Sequence, residues 1–128
     1  PVNWLTQQLR FAHAAADVAL GTVQPVLADM KAGQASKWQQ RHPHGSPVGK
    51  IHGANFGVRG SGYLEAGGFA ALTEHEDVDL TARLRASGAR VVEADSIIVT
   101  TSGRATGRTP GGYSGYGRAC QLFCRPDN

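Results

Sequence analysis

A chain of 128 residues and 13.5 kDa has the length of one domain, able to bury about two-thirds of its unfolded surface without disulfide staples. Hydrophobic residues at 41% against 18% charged exclude wholesale disorder. Two cysteines exclude a disulfide scaffold, and no stretch approaches the ~18 apolar residues of a membrane span. A net charge of +3 is too small for a dedicated nucleic-acid binder, which leaves a single domain over 1–128 in a reduced, cytoplasmic compartment as the expectation.

In chain order, Asn3 is placed to cap a helix whose apolar stripe is Leu5, Leu9, Ala12 and Ala16. Asp17–Val23 reads as a strand stopped by Pro25, and Val26–Arg41 as a weaker helix broken at Gly33. His42–Gly49 is turn material. Ile51–Arg59 reads as a strand with His52, Ala54, Phe56 and Val58 on one face and Gly53, Asn55 and Gly57 on the other. That nearly bare second face suits the close approach of a ligand or another main chain, and equally a bend or bulge.

Ser61 opens a short helix closed by Gly67 and Gly68. Thr73 and Glu76 match a capping box for a helix running to Ser87 and stopped by Gly88. Ala89–Ala94 and Ile97–Thr101 read as two strands joined at Asp95-Ser96. Beyond Ser102 come a segment rich in Gly, Arg and Tyr and a short helix near Gly117–Cys124. Helices and strands alternate, so the class is α/β with a mixed sheet and flanking helices.

The 17 glycines are about twice ordinary usage, which points to loops or to a backbone that something touches. Charge is also unevenly spread. Lys31 to Arg59 carries five basic residues and no acid, Glu65 to Asp95 carries seven acids, and Ser96 to Pro126 is basic again. Solvated loops account for much of this; arginines holding an anionic ligand beside a carboxylate site are the sharper reading.

Among the acids, Glu76-Asp77-Val78-Asp79 is the catalytic candidate. On a helix Asp77 shares a face with Leu80 and Leu84, Asp79 lies one turn before Arg83, and Glu76 has a capping task. Acids also suit a first helical turn electrostatically, so only Asp77 lacks a purely structural reason. No paired metal-ligand spacing occurs around His42, His44, Cys120 or Cys124, and no metal site is assigned. The tail Thr101–Arg118 has the composition to wrap a phosphate, to bind single-stranded nucleic acid weakly, or to remain a solvated loop over 102–118.

Several of these stretches, in order, resemble a known family. His52-Gly-Ala-Asn-Phe-Gly-Val-Arg59, Tyr63-Leu-Glu-Ala-Gly-Gly-Phe69, Glu76-Asp-Val-Asp-Leu80, Arg83–Val92, Thr100–Arg104 and Gly107–Tyr113 look like the C-terminal, acceptor-side half of a family-2 glycosyltransferase of the GT-A fold. The resemblance covers about residues 3–113. It implies sugar transfer from a nucleotide-activated donor, with Asp77 as general base and Glu76 orienting the acceptor. Gly53, Asn55 and Gly57 would lie beside the donor sugar, and Arg104 and Arg108 would meet its diphosphate. The family's donor half, with its Asp-x-Asp metal motif, has no counterpart here, since Asp77-Val-Asp79 falls in the acceptor motif. The chain is therefore expected to be inactive alone and to bind no cofactor unless a nucleotide-binding half supplies Mn²⁺ or Mg²⁺. A homodimer covering the open flank is expected, with a nucleotide-sugar or glycan as ligand. The rival classes are a non-catalytic binding module and weak nucleic-acid binding through the tail.

Overall fold

The computed structural model describes residues 2–44 and 50–104. The Gly/Arg segment from 105 onward, Arg108 with it, the helix expected near Gly117–Cys124 and part of the turn at 42–49 lie outside these residues. The order is α1 (Trp4–His13), β1 (Val18–Val26), α2 (Gln34–Arg41), β2 (Phe56–Val58), α3 (Gly60–Glu65), α4 (Glu76–Ala86) and β3 (Val91–Ser102). Short 3-10 turns at Leu27–Asp29 and Gly53–Asn55 interrupt it. The class is α/β, with a three-stranded mixed sheet in the order β2-β1-β3 and helices flanking it. Among the described residues no helix is long and apolar enough to cross a membrane.

β1 is the axis of the fold. Val18–Val23 is buried throughout, as a central strand covered on both faces should be. Val18 and Leu20 pack with Leu80 and Leu84 of α4, while Ala19 on the opposite face packs with Ala94 and Ile97 beneath Trp4 and Phe11 of α1. Parallel pairing with β3 runs the whole length of β1, whereas antiparallel pairing with β2 covers only Val18–Leu20. Pro25 does not stop the strand as expected. It falls in the half of β1 that β2 leaves unpaired, where a missing N–H has a side on which it costs no ladder bond.

Four further expectations change. The two strands placed at 89–94 and 97–101 are one, β3, with a bulge: Ala94 pairs with Gly21 and Ile98 with Thr22. Asp95, Ser96 and Ile97 are thus absorbed without breaking a strand that β1 templates along its length. α1 docks through Trp4, Gln8 and Phe11, leaving Leu5 and Leu9 61% and 48% exposed. Both stripes have helical spacing, and the docked one brings the Trp4 indole N–H and Gln8 Nε2 to Asn55 Oδ1, at 2.9 and 3.5 Å, while the buried Gln8 Oε1 has no hydrogen-bond partner among the described residues.

α4 begins two residues later than the capping box predicts. His75 is its N-cap, in the left-handed region at φ 64°, and no side chain closes a cap bond there. Glu76 is then the first helical residue and cannot act as the third. Gly88, at φ +86°, does provide the expected stop. Finally, Ile51–Arg59 is not one strand. The amide of Asn55 donates to His52 O at 2.9 Å, closing the turn Gly53–Asn55 ahead of the three-residue β2.

Two arginine clamps tie the helices down. Arg83 meets Asp79 at 2.7 Å, the expected one-turn pair, and also donates to Ala66 O and Gly68 O, joining α4 to the end of α3. Arg59 pairs with Asp17 at 3.1 Å and donates to Ala12 O in the last turn of α1 and to Ala16 O beyond it. The backbone amide of Arg90 donates to the second Asp17 oxygen; that bond, with help from Arg59, holds the carboxyl below its ordinary range despite some desolvation.

Candidate functional site

The interrupted strand at 51–59 sends its glycines to different places. Gly57 pairs with Ala19 and lies under Gln8 of α1, where a Cβ would collide with the Gln8 amide. Asn55 is buried on that same side, over Gly21, which has no room for a Cβ beneath the Asn55 amide. Its Nδ2 donates to Thr22 O at 2.9 Å and to Ile97 O at 2.8 Å, and its Oδ1 accepts from Trp4 Nε1 at 2.9 Å. The Ile97 carbonyl belongs to the β3 bulge, so Asn55 satisfies a group that the bulge takes out of the ladder. The close approach signalled by Gly57 and Asn55 is thus made by α1 and by the sheet itself.

Gly53 faces the other way. Its amide donates to Asp77 Oδ2 at 2.6 Å, and Oδ1 of the same carboxylate accepts from the amide of Val78 at 2.8 Å. Two chain segments 24 residues apart are joined by this bond. Leu80 and Leu84 from the face shared with Asp77 are fully buried, so the carboxylate stands at the rim of that core, half-buried. A Cβ on Gly53 would lie 3.6 Å from Oδ2, an ordinary contact, so a methyl-sized volume is open beside the carboxylate. Each oxygen spends one lone pair on an amide and retains another, which orients the group while leaving it able to accept a proton.

His52, adjacent to Gly53, is the residue that sequence reasoning passed over. Its half-buried imidazole is pushed below its ordinary value by burial; the Asp77 carboxylate opposes that shift and the Lys50 ammonium adds to it. A titratable ring directly before the glycine of the motif was the available signal. Glu76 is exposed at the start of α4, next to Asp77 in sequence. Arg104 lies exposed beyond β3, its amide 3.4 Å from Ser102 Oγ, which in turn donates to Asp29. Of the expected residues, then, Asp77 and Gly53 are brought into contact, and Asn55 and Gly57 face α1.

No cluster of three His, Cys, Asp or Glu side chains able to hold a metal occurs among the described residues. Asp79, the other acid of the D-x-D string, is committed to Arg83. The resemblance places its divalent ion on the donor half and not on these residues. Comparison of the chain with protein-family models, curated proteins and solved structures gives no match.

Proposed function

We propose that this chain is the acceptor-side part of a glycosyltransferase fold of the family-2 kind, with Asp77 as the acceptor-directed base. The observation that carries the reading is the Gly53–Asp77 bond. It joins two of the motifs on which the resemblance rests and holds a carboxylate at a helix start with open space beside it. In the reaction the acceptor hydroxyl gives its proton to Asp77 while its oxygen forms a bond to the anomeric carbon. The bond from that carbon to the nucleoside diphosphate breaks, and the electron pair leaves with the diphosphate. Proton removal by a positioned carboxylate contributes about 100-fold or more. Glu76, exposed at the rim, orients the acceptor, and Arg104 with Arg108 meets the leaving diphosphate.

The test combines calorimetric titration with nucleoside diphosphates, with and without Mn²⁺, and mass-spectrometric detection of transfer from nucleoside-diphosphate sugars to oligosaccharide acceptors once a nucleotide-binding half is supplied, since the chain alone is expected to be inactive. Asp77→Asn is expected to cut transfer about 100-fold or more while leaving nucleotide affinity in place. Unchanged transfer in that variant would remove Asp77 from the role of base.

One observation favours a second reading, a non-catalytic binding module. Both Asp77 oxygens already accept backbone amides, as they would if the side chain only stapled the Gly53 turn to α4. Glycan binding that survives Asp77→Asn, with transfer absent in both proteins even when a nucleotide-binding half is supplied, would favour it.

A further inference from the structure

Past the start of α4 the sheet carries a face that the helix does not reach. Leu20 of β1 packs with Leu80 and Leu84, and strand residues two apart share a face, so Thr22, Gln24 and Val26 continue the α4 face toward the end of β1. Their parallel partners on β3 are Ile98, Thr100 and Ser102; Ile97, packed beneath α1, fixes the alternation from the other side. Ile98 is 44% and Val26 38% exposed, and Thr100 is exposed as well. Strands paired in parallel are ordinarily covered on both faces, so two bared aliphatic side chains mark a surface built to be covered. This is the carboxyl end of both strands, where open α/β sheets take their ligands. Asp77 stands beside it. The Gly53–Asn55 turn lies on the β2 side of β1, where Asn55 Nδ2 donates to Thr22 O, and Ile98 pairs with Thr22 from the opposite side. The carboxylate bonded to Gly53 is therefore two strand spacings, about 10 Å, from Ile98 across the open face.

We propose that this open face of β1 and β3 is the floor of the acceptor site, with Ile98 under the apolar face of a neutral sugar ring and Thr100 and Gln24 bonding its hydroxyls. The assignment rests on the reading of Asp77 as the acceptor-directed base, because continuity with that carboxylate gives the floor to the acceptor. The side chains select the chemistry of the occupant. None of the six on this face is charged, whereas Glu93 and Asp95 precede them along β3 and Asp29 and Arg104 lie beyond. An anionic group laid on the floor would be desolvated with no counter-charge beneath it. A wholly apolar ligand would strand the Gln24 amide and the Thr100 hydroxyl. A sugar ring has both parts, C–H bonds on its faces and hydroxyls at its rim, and matches an aliphatic side chain flanked by a hydroxyl and an amide. Ser102 contributes less, since its hydroxyl is given to Asp29 at 2.9 Å. Ile98 and Thr100 thus set which sugar is held, and Asp77 acts on the hydroxyl that reaches it.

The experiment is a calorimetric titration of the chain with cellotetraose, maltotetraose and mannotetraose, repeated for the Ile98→Thr, Thr100→Val and Leu9→Thr variants. Ile98 and Thr100 are exposed and stay β-branched in these changes, so the strand is kept, and circular dichroism checks the fold. At least one tetrasaccharide is expected to bind, and Ile98→Thr and Thr100→Val each to weaken it about fivefold or more. Leu9, 48% exposed on α1, is a control of like exposure away from the floor, and Leu9→Thr is expected to leave affinity unchanged. Affinity unchanged in both floor variants, or lowered equally by Leu9→Thr, overturns the floor and leaves the role of Asp77 intact. Failure of all three tetrasaccharides to bind overturns it as well. Binding that the floor variants weaken, with no transfer once a nucleotide-binding half is supplied, would support the floor and defeat the glycosyltransferase reading instead.

Discussion

On the α1 side of the sheet, Asn55 is buried and saturated, with Trp4, Thr22 and Ile97 taking its amide, and the glycines beside it are filled by the protein's own side chains. On the α4 side, Asp77 is half-buried, held by two amides and flanked by a glycine whose missing side chain leaves space. The same residue types, a short polar side chain and a nearby glycine, serve opposite ends. A polar group enclosed on every side contributes rigidity, since each bond it makes is one that water cannot replace. A polar group fixed at a rim keeps capacity for an incoming ligand.

Substitutions can break this contrast, and the largest effect is expected at Asn55. Asn55→Ala would strand the Thr22 and Ile97 carbonyls and the Trp4 indole N–H, costing about 3 kcal/mol in chemical denaturation. A loss within about 0.5 kcal/mol would mean that the α1 interface opens to water easily. The glycines offer the sharpest comparison. Gly57→Ala forces a methyl into the Gln8 amide and should cost about 2 kcal/mol. Gly53→Ala meets only an ordinary contact at 3.6 Å and should stay within about 0.5 kcal/mol, yet weaken glycan or nucleotide binding by calorimetry. Equal costs at the two glycines would show that both faces are equally closed.

A smaller, stabilising change is expected at the entrance to α4. His75 is held at φ 64°, a conformation that suits glycine, so His75→Gly should stabilise by about 0.5 kcal/mol after the added chain entropy is counted. A thermal melt shows the sign. The smallest effect is on pH dependence. The folded His52 imidazole lies below its unfolded value of 6.5, so the unfolded chain binds the proton first. Stability is present in full above pH 6.5, declines as pH falls from there to the folded value, and then levels off. His52→Gln should remove this slope; the exposed Asp17, with its lowered carboxyl, should add a further decline at lower pH that the variant leaves intact.

Much of the local structure was legible because it depends on neighbours in the chain. The left-handed stops at Gly67, Gly68 and Gly88, the Asp79–Arg83 pair one turn apart, and the burial of Leu80 and Leu84 follow from backbone sterics and helical spacing. The Asp77 helix face was readable for the same reason. The misread elements share a cause: each was decided by a partner distant in sequence. β1 carried β3 through its bulge, Asn55 and the sheet chose the docked stripe of α1, and the pull of Asp77 on Gly53 accompanies the late start of α4.

The sequence by itself determined the α/β class, the helix stops and the isolation of Asp77 among the acids, since periodicity, capping and charge act over one or two turns. Only the tertiary structure decided where the glycine-rich segment looks. A three-residue turn at Gly53–Asn55 rotates the chain, so that Gly53 meets Asp77 while Asn55 and Gly57 meet α1. No two-residue alternation encodes that rotation. It arises because the Gly53 amide and the Asn55 side chain each have a stronger partner across the fold than along the strand.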